Sequence, residues 1–300
     1  MKKYKILIEA SGCLTSNYLI KAIKESGNSV CGSDINDFNY AKYQCDDFIV
    51  FPKADKLSLS ELENELIKHN IDVVIPSLDE TLLDWSANKN YFFNKGIQVI
   101  VSPKETIEIF QDKWNTYNFF KEINVPTPKT SLSAEFPIIK PRNGRGSVGI
   151  YKQDFKTLVN MEGNISQEEI KGEEYTVDTF FDKDGIPVYI IPRKRLNVKN
   201  GKSTQGQVCY NLDIDNYIKY ISTNIKFIGP INFQLFIDDN NKIFFIEVNP
   251  RIAGGMALAF YASENWINLI IENLIKNKQI FPKKVNYEAK MMRYYAEIFV

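Results

Sequence analysis

The chain has 300 residues, and 37 lysines and arginines balance 37 aspartates and glutamates to a formal net charge of zero. This balance, without any block of basic residues, argues against nucleic-acid binding, which depends on clustered positive charge. A hydrophobic fraction of 44% is ample for a buried core and excludes disorder as the main state. The one histidine, His69, argues against a Ser-His-Asp triad, a His-rich zinc site and an HExxH helix. Chemistry is therefore expected from lysine, arginine, carboxylates, amides and backbone groups.

No segment predicts export or membrane insertion. The basic start is followed by only three apolar residues, 6–8, too few for a signal peptide, and no window approaches the roughly 18 apolar residues of a membrane span. The cysteines lack CxxC spacing and lie in or beside apolar or small-residue stretches, so we expect buried thiols. These features predict a soluble, cytoplasmic protein. The four cysteines are Cys13, Cys31, Cys45 and Cys209.

The first hundred residues predict strands that alternate with helices, which indicates a parallel sheet with right-handed crossovers. Residues 1–103 are therefore expected to form one Rossmann-like α/β domain, with His69 at the end of its second helix. The predicted strands are 4–9, 29–34, 47–51, 71–75 and 97–101, and the predicted helices are 16–26, 58–69 and 78–94.

The first strand–helix turn lacks a dinucleotide fingerprint, because only Gly12 is present there. Asp34, at the end of the second strand, stands where a ribose-binding acid would be expected. Without the glycines of GxGxxG, we do not predict that this domain binds NAD.

After Pro126 and Pro128, which break a helix, the pattern changes to runs of strands with few helices. This pattern predicts an α+β region, unlike the first hundred residues. The predicted strands are 136–140, 148–152, 164–168, 174–181, 186–196, 203–209, 231–237 and 242–248, with helices at 213–226 and about 262–276.

A glycine-rich loop, 140–149, contains a literal GxGxxG at Gly144, Gly146 and Gly149. A strand follows this loop where a Rossmann fingerprint would require a helix. A glycine loop between two strands is typical of a flap over nucleotide phosphates, where backbone N–H groups approach oxygens closely. An ordinary Gly-rich hairpin is the alternative. Arg142 and Arg145 add positive charge to this loop, and Ser147 adds a hydrogen-bond donor.

The second motif is a strand pair that flanks a turn at Asn240–Asn241. That turn would place Gln234 opposite Glu247 and Asn232 opposite Asn249, all on one face. A carboxylate with amide oxygens suits Mg²⁺ that is also held by substrate phosphates. A solvated polar face is the alternative. The alternate positions Phe233, Leu235, Ile246 and Val248 are apolar and are expected to face the core.

A connector within residues 166–178 lies between two predicted strands. Its backbone could read an adenine edge, and Glu174 just beyond it could bind ribose hydroxyls. Spacing alone favours a surface hairpin here.

Together, and in this order, these segments resemble the ATP-grasp superfamily, nearest the carbamoyl-phosphate-synthase-large-subunit-like carboxylate–amine ligases. The resemblance covers residues 104–265 with specific motifs and residues 1–103 more loosely. It implies a Rossmann-like pre-ATP-grasp domain at 1–103 and a two-subdomain ATP-grasp fold, with a small lid subdomain at 104–180 and a C-terminal subdomain at 181–300. In such a fold a mobile glycine flap closes over ATP.

Position by position, the resemblance implies which residues bind ATP. Lys113 matches the first basic residue of the family, and Lys140 matches the second, which reaches adenine and phosphate. Residues 168–170 match the hinge that reads adenine, and Glu174 matches the ribose-binding acid. The expected nucleotide-binding residues are Lys113, Lys140, Arg145, Gly146, Ser147, Glu168, Glu169, Ile170 and Glu174.

The resemblance also implies the metal ligands and the catalytic arginines. Gln234, Glu247 and Asn249 match the ligands of Mg²⁺ (or Mn²⁺), with Gln234 in place of the acid of many relatives. Arg251 matches the arginine that stabilises the transferred phosphate or the acyl-phosphate. One or both of two further arginines on one strand would contact the γ-phosphate. The expected catalytic residues are Arg251, Arg193 and Arg195.

The implied reaction is the ATP-dependent activation of a carboxylate as an acyl-phosphate, followed by attack of an amine. The expected partners are small-molecule carboxylate and amine substrates, without nucleic acid or membrane, and a homodimer is the candidate assembly. Substrate is expected near residues 11–15, Asp79, Glu80 and Asp178. No serine-rich run follows AsnProArg and no second ATP-grasp half is present, which argues against carbamoyl phosphate synthesis itself. The rival interpretation is a non-catalytic or regulatory ATP-binding module of the same fold.

Overall fold

The computed structural model describes residues 2–13, 16–144, 146–199 and 202–300. The helices are α1 Asn17–Glu25, α2 Ala41–Gln44, α3 Leu59–Lys68, α4 Leu82–Ala87, α5 Lys89–Asn94, α6 Lys104–Phe110, α7 Lys113–Glu122, α8 Leu212–Asn224, α9 Ala257–Ala262 and α10 Trp266–Leu269. The strands are β1 Lys5–Ile8, β2 Ser29–Asp34, β3 Asp47–Val50, β4 Val73–Ile75, β5 Gln98–Val99, β6 Thr130–Ser131, β7 Ile138–Pro141, β8 Tyr151–Lys152, β9 Asn164–Gln167, β10 Gly172–Phe181, β11 Pro187–Lys199, β12 Lys202–Val208, β13 Gly229–Asp238, β14 Ile243–Asn249 and β15 Lys290–Met292. Short 3-10 turns cover Ala54–Lys56, Asp79–Thr81 and Gly254–Met256, and a π-helical turn covers Ile270–Ile275.

The first five strands form a parallel sheet in the order β3-β2-β1-β4-β5. Ile6, Leu7 and Ile8 of β1 are fully buried, as expected for a parallel strand with helices on both faces of its sheet. Helix α3 begins after Ser58, whose side chain accepts from Glu61 N in a capping box, and it ends at the predicted His69. The predicted Rossmann-like unit is therefore confirmed.

A six-stranded sheet in the order β14-β13-β10-β11-β12-β15 dominates the rest of the chain, and all of its pairs are antiparallel. One of its faces packs on α7 and α8 through a buried aromatic cluster. Phe233 is fully buried there, and Phe120 of α7 lies 5.8 Å from Phe245 between ring centroids. This apolar packing leaves the opposite face of the same strands for polar groups.

A separate four-stranded antiparallel sheet has the order β6-β9-β7-β8 and carries the glycine-rich loop between β7 and β8. The mixed α/β and α+β class is thus confirmed. Strand β10 pairs with β11 and β13 of the larger sheet, not with the smaller one. We therefore propose that the small subdomain ends in the connector 168–171, before β10, and not at residue 180.

Two long predicted helices are interrupted. The segment predicted as a helix at 78–94 divides at Asn88, whose side-chain amide and backbone N–H both donate to Asp84 O. Asparagine competes in this way for helical backbone groups. The predicted helix at 262–276 begins only at Trp266, because Asn265 caps it by accepting from Ile267 N at 3.0 Å.

The predicted strand 148–152 shrinks to β8, which has two residues. Ser147 and Gly149 take positive φ angles of 60° and 76°, so the chain is still turning at these positions. The two-stranded pairing of β7 and β8 begins only after them.

Candidate active site

One face of the six-stranded sheet gathers polar side chains from four strands. Thr176 of β10 lies between Arg193 of β11 and Gln234 of β13, and the register continues to Glu247 of β14. Directly opposed residues of antiparallel strands share a face. Groups scattered over about 75 residues of sequence therefore meet on one surface. Its polar members are Glu174, Thr176, Asp178, Arg193, Arg195, Asn232, Gln234, Glu247 and Asn249.

Strands β13 and β14 bring the three expected metal ligands together. Gln234 lies opposite Glu247, and Asn232 lies opposite Asn249, which is the predicted pairing. A carboxylate and two amide oxygens form a set of hard donors that suits Mg²⁺ or Mn²⁺ held together with phosphate oxygens. The chemistry of these donors fits the expected metal.

The chain reaches this register in an unexpected way. The turn is not the predicted two-residue 240–241, because the loop has three residues, 239–241, with Asn241 at a φ of 62°. A β-bulge at Ile246 then shifts the pairing back by one residue. As a result Phe245 is fully buried, whereas Ile246 is only half-buried. The prediction that Ile246 faces the core is wrong.

Two lysines from other elements approach this face. Lys113, the first residue of α7, donates from Nζ to Gly144 O at 2.9 Å, and the same Nζ lies 3.5 Å from Glu247 Oε1. Lys140 of β7 is buried and donates from Nζ to Gln167 Oε1 at 2.8 Å. Burial, with a contribution from Lys113, lowers the pKa of Lys140 to about 8, although Glu247 acts in the opposite direction. Lys113 thus connects the glycine-rich loop to β14, whereas Lys140 belongs to the small sheet and is close enough to Glu247 for its pKa to respond to that carboxylate.

Arg193 is held by a buried polar network. Its Nε donates to Asp178 Oδ2 at 2.7 Å, and Asn232 Nδ2 donates to Asp178 Oδ1 at 2.6 Å. Asp178 is fully buried, and Arg193 is 3% exposed. Asp178 was expected near substrate, but its carboxylate oxygens are taken up by Arg193 and Asn232. Its position is that of a group that orients Arg193.

Arg251 reaches across to the N-terminal domain. Its Nε donates to Asp79 Oδ1 at 2.8 Å, and its Nη2 donates to Asp79 Oδ2 at 2.6 Å. Nη2 also donates to Asn249 Oδ1 at 3.1 Å. Arg251 therefore links an expected metal ligand to the Asp79 turn that was expected near substrate.

Arg195 stands between the expected ribose acid and an expected metal ligand. It forms an ion pair with Glu174, and its Nη1 lies 3.5 Å from Gln234 Oε1. Burial raises the pKa of Glu174, and Arg195 opposes that shift. The guanidinium of Arg195 therefore connects Glu174 to Gln234.

The loops expected around the nucleotide are on the surface. Gly146 and Ser147 are exposed and take positive φ angles of 67° and 60°, whereas Arg145 lies outside the described residues. The expected adenine hinge, 168–170, forms the connector between β9 and β10. Glu168 N donates to Lys129 O at 2.8 Å, and Glu169 forms an ion pair with Lys152 at 2.5 Å.

The sequence analysis missed several residues around the turn at 253–255. A Cβ on Gly255 would lie 1.9 Å from Arg193 Nη2, so only glycine leaves room for that guanidinium. Tyr18 of α1 donates to Ala253 O at 2.8 Å, and Arg293 donates to Gly254 O. The paired glycines at 254–255, two residues beyond AsnProArg, are the sequence signal that could have indicated this close approach.

Two family models match separate parts of the chain. Residues 160–295 match the model described as "ATP-grasp in the biosynthetic pathway with Ter operon", and residues 6–100 match "PylC-like, N-terminal domain". The chain contains an ATP-grasp domain. The expected site residues of β10, β11, β13 and β14 lie within the matched ATP-grasp region, whereas Lys113 and Lys140 precede it.

Curated proteins that this chain resembles are carbamoyl phosphate synthase large chains. That of Clostridium acetobutylicum is 25% identical over 67% of this chain and 22% of its own length. That of Thermoplasma acidophilum is 24% identical over 70% of this chain and 24% of its own length. The chain therefore spans about a quarter of the length of the curated relatives that it matches.

Solved structures show the same ATP-grasp fold. N5-carboxyaminoimidazole synthetase from Staphylococcus aureus, complexed with ADP, has a TM-score of 0.73 and 15% identity, over 98% of this chain and 83% of that one. The biotin carboxylase domain of the Hydrogenobacter thermophilus 2-oxoglutarate carboxylase, complexed with MgADP and bicarbonate, has a TM-score of 0.71 and 14% identity, over 96% of this chain and 73% of that one. Within the described residues, no helix is both long and apolar enough to cross a membrane.

Proposed function

We propose that the chain is an ATP- and Mg²⁺-dependent ligase that activates a small-molecule carboxylate as an acyl-phosphate and joins it to an amine. One observation carries the proposal: Lys113 Nζ contacts both Gly144 O of the glycine-rich loop and Glu247 of the metal-ligand strands. The phosphate-binding loop and the metal-ligand carboxylate thus meet at one cation. Structural relatives that were determined with ADP or MgADP support the same assignment.

Each group has a role in this proposal. Lys113 and Lys140 would bind phosphate oxygens, and Glu174 and the connector 168–170 would bind ribose and adenine. Gln234, Glu247 and Asn249 would hold Mg²⁺, which supplies charge neutralisation at the phosphates when bound.

In the first step a substrate carboxylate oxygen attacks the γ-phosphorus, the bond to the β-phosphate oxygen breaks, and ADP leaves. In the second step the amine attacks the acyl carbon, the bond to phosphate breaks, and the amine proton passes to solvent. Arg193 and Arg251 would stabilise the charge of the transferred group, and no histidine is required.

Nucleotide binding is tested by thermal unfolding. Mg-ATP should raise the melting temperature of the wild type, and Glu247→Gln should lose the part of the shift that depends on Mg²⁺. Glu173→Gln is the control, because Glu173 is exposed and pairs with Lys194 outside the metal-ligand set. Stabilisation by NADH and not by Mg-ATP would show that the assignment is wrong.

Turnover is tested separately by screening pairs of carboxylates and amines for release of ADP and phosphate. Release that requires both partners would support a ligase. Tight Mg-ATP binding without release for any pair would favour the non-catalytic ATP-binding module.

A further inference from the structure

Glu9 is a buried carboxylate that the proposed chemistry does not use. It directly follows β1, at the edge of the parallel sheet where the strands end, and it is only 8% exposed. Its Oε1 accepts from Trp85 Nε1 at 2.8 Å, and its Oε2 accepts from Ser77 N at 3.1 Å and from Thr81 Oγ1 at 3.0 Å. Burial raises the pKa of Glu9, whereas these hydrogen bonds act in the opposite direction. A carboxylate is costly to bury unless donors satisfy both of its oxygens, and here both oxygens are satisfied.

The two hydrogen bonds at Glu9 Oε2 tie together the ends of a short segment, residues 77–81. Ser77 is the first residue of this segment and Thr81 is the last, so one carboxylate oxygen holds both ends. The Ser77 hydroxyl adds a further bond by donating to Glu9 O at 2.8 Å. Asp79 is the middle residue of the segment and begins the 3-10 turn Asp79–Thr81. Glu9 therefore fixes the two points of the chain between which Asp79 lies.

Asp79 connects this segment to the candidate active site. Its carboxylate accepts from Nε and Nη2 of Arg251, and Nη2 also donates to Asn249 Oδ1. A bidentate pair has a fixed geometry, so the Asp79 carboxylate must face Arg251 in one orientation. Any displacement of segment 77–81 would therefore change the position of the Arg251 guanidinium beside Asn249.

We propose that Glu9 is a positioning residue, which holds segment 77–81 so that Asp79 fixes Arg251 beside the expected metal ligand Asn249. Glu9 does not bind substrate in this proposal, because its oxygens already accept from Trp85, Ser77 and Thr81. The inference rests on the proposed function, because it assigns Glu9 a part in the turnover of that same site.

The first test is a double-mutant cycle in urea unfolding, which needs no substrate. Its variants are Glu9→Gln, Asp79→Ala and the combination of the two. Glutamine keeps the size of the side chain but turns an amide donor towards at least one of the groups that donate to Glu9. If Glu9 acts by holding Asp79, the combined fall in the urea midpoint should be clearly smaller than the sum of the two single falls. Falls that simply add would overturn the proposal.

Asp72→Asn is the matched control for Glu9→Gln in this cycle. Asp72 is a carboxylate of the same domain that also accepts a backbone N–H, from Lys5 at 2.8 Å, but it directly precedes β4 and so lies at the opposite edge of the sheet. Its effect should add to that of Asp79→Ala, because distant sites act independently. Equal non-additivity in both cycles would show a general weakening of the domain and would overturn the specific role of Glu9.

The second test measures turnover together with the thermal shift that Mg-ATP induces. Glu9→Gln should lower kcat about tenfold or more, because Arg251 is misplaced, while the Mg-ATP shift persists. Thr81→Val, which removes one bond to Glu9, should lower kcat in the same direction, and Thr81→Ser, which keeps the hydroxyl, should stay near the wild type. This pair keeps the test valid if Glu9→Gln does not fold. A wild-type kcat in Glu9→Gln, or equal kcat in the two Thr81 variants, would overturn the proposal.

The two tests separate this inference from the proposed function. If the wild type releases ADP and phosphate, but Glu9→Gln adds to Asp79→Ala in unfolding and keeps the wild-type kcat, the role of Glu9 is wrong and the ligase assignment stands. If the two variants are coupled in unfolding, but the wild type turns over no pair of carboxylate and amine, the hold of Glu9 on Asp79 stands and the ligase assignment falls.

Discussion

Arg251 and Asp79 form a bidentate ion pair across the junction of the two domains, with Nε–Oδ1 at 2.8 Å and Nη2–Oδ2 at 2.6 Å. The Arg251 side chain is only 11% exposed, and the Asp79 side chain is 20% exposed. Because Arg251 also donates to Asn249, the turn of the N-terminal domain that carries Asp79 fixes an arginine next to the expected metal ligands. The N-terminal domain thus contributes a contact to the candidate active site through Asp79.

Asp79→Ala should therefore harm both stability and activity. Removing one partner of a largely buried ion pair leaves the other charge unpaired, which typically costs about 3–5 kcal/mol. We expect a clear fall in the urea midpoint and a loss of turnover. The control is Asp37→Ala, which removes an exposed pair with Lys42 and should cost about 0–1 kcal/mol. Equal changes in the two variants would contradict the proposed role of Asp79.

Gly255→Ala tests the close approach of Arg193. The added methyl group would lie 1.9 Å from Arg193 Nη2, so the guanidinium must move away from its place beside Asp178. We expect turnover to fall by one to several orders of magnitude, while the Mg-ATP-induced thermal shift persists, because the lysines and the metal ligands are untouched.

Gly206→Ala is the matched control for this variant. A Cβ on Gly206 would meet Leu258 and Lys194 at 3.4 Å, which is ordinary packing. Its turnover should stay close to that of the wild type. If Gly255→Ala retained wild-type turnover, Arg193 would not act where we place it.

The hairpin of β13 and β14 shows how a cross-strand pairing can be predicted correctly although the predicted turn is wrong. The predicted turn is one residue too short, and the bulge at Ile246 is absent from the prediction, but the two errors cancel at Gln234 and Glu247. Polar spacing along a strand identifies which residues share a face. It does not reveal a local bulge, because Ile246 and Phe245 are equally apolar in sequence.

Contacts between distant segments could not be predicted from the sequence, for a different reason. Asp79 and Arg251 are 172 residues apart, and Tyr18 and Ala253 are 235 apart. Strand periodicity and turn residues are local signals, whereas these pairs depend on how two domains pack. The Gly–Gly pair at 254–255 stands where the serine-rich run would follow AsnProArg, and the small size of Gly255 is what admits Arg193.

The lowered pKa of Lys140 predicts opposite pH dependences for the stability of the protein and for its affinity for ATP. Its folded-state pKa of about 8 lies below the usual lysine value of 10.5, so between these values the unfolded chain binds more protons. The free energy of unfolding of the ligand-free protein should therefore rise with pH across this window, by at most about 3 kcal/mol. ATP favours the ammonium form, so its Kd should increase above pH 8, by up to about tenfold per pH unit. Both trends should flatten in Lys140→Met, and a wild-type Kd that is constant from pH 7 to about 9.5 would contradict the role of Lys140.

The lowered pKa of Asp47 predicts that the N-terminal domain loses stability in acid, at a position away from the candidate active site. Burial raises the pKa of Asp47, but Lys5 Nζ at 2.5 Å and His69 Nδ1 at 2.7 Å outweigh it and lower the pKa to about 2. The stabilisation is fully present above the ordinary aspartate pKa near 4 and is lost as the pH falls through about 2. Asp47→Asn should cost about 1–2 kcal/mol at pH 7, after allowance for partial exposure, and should flatten the fall in urea midpoint between pH 4 and pH 2. Asp184→Asn is the control, because it removes a more exposed pair with Lys183 and should leave that fall unchanged. Parallel acid profiles for the wild type and Asp47→Asn would show that the contacts of Asp47 with Lys5 and His69 are not its source.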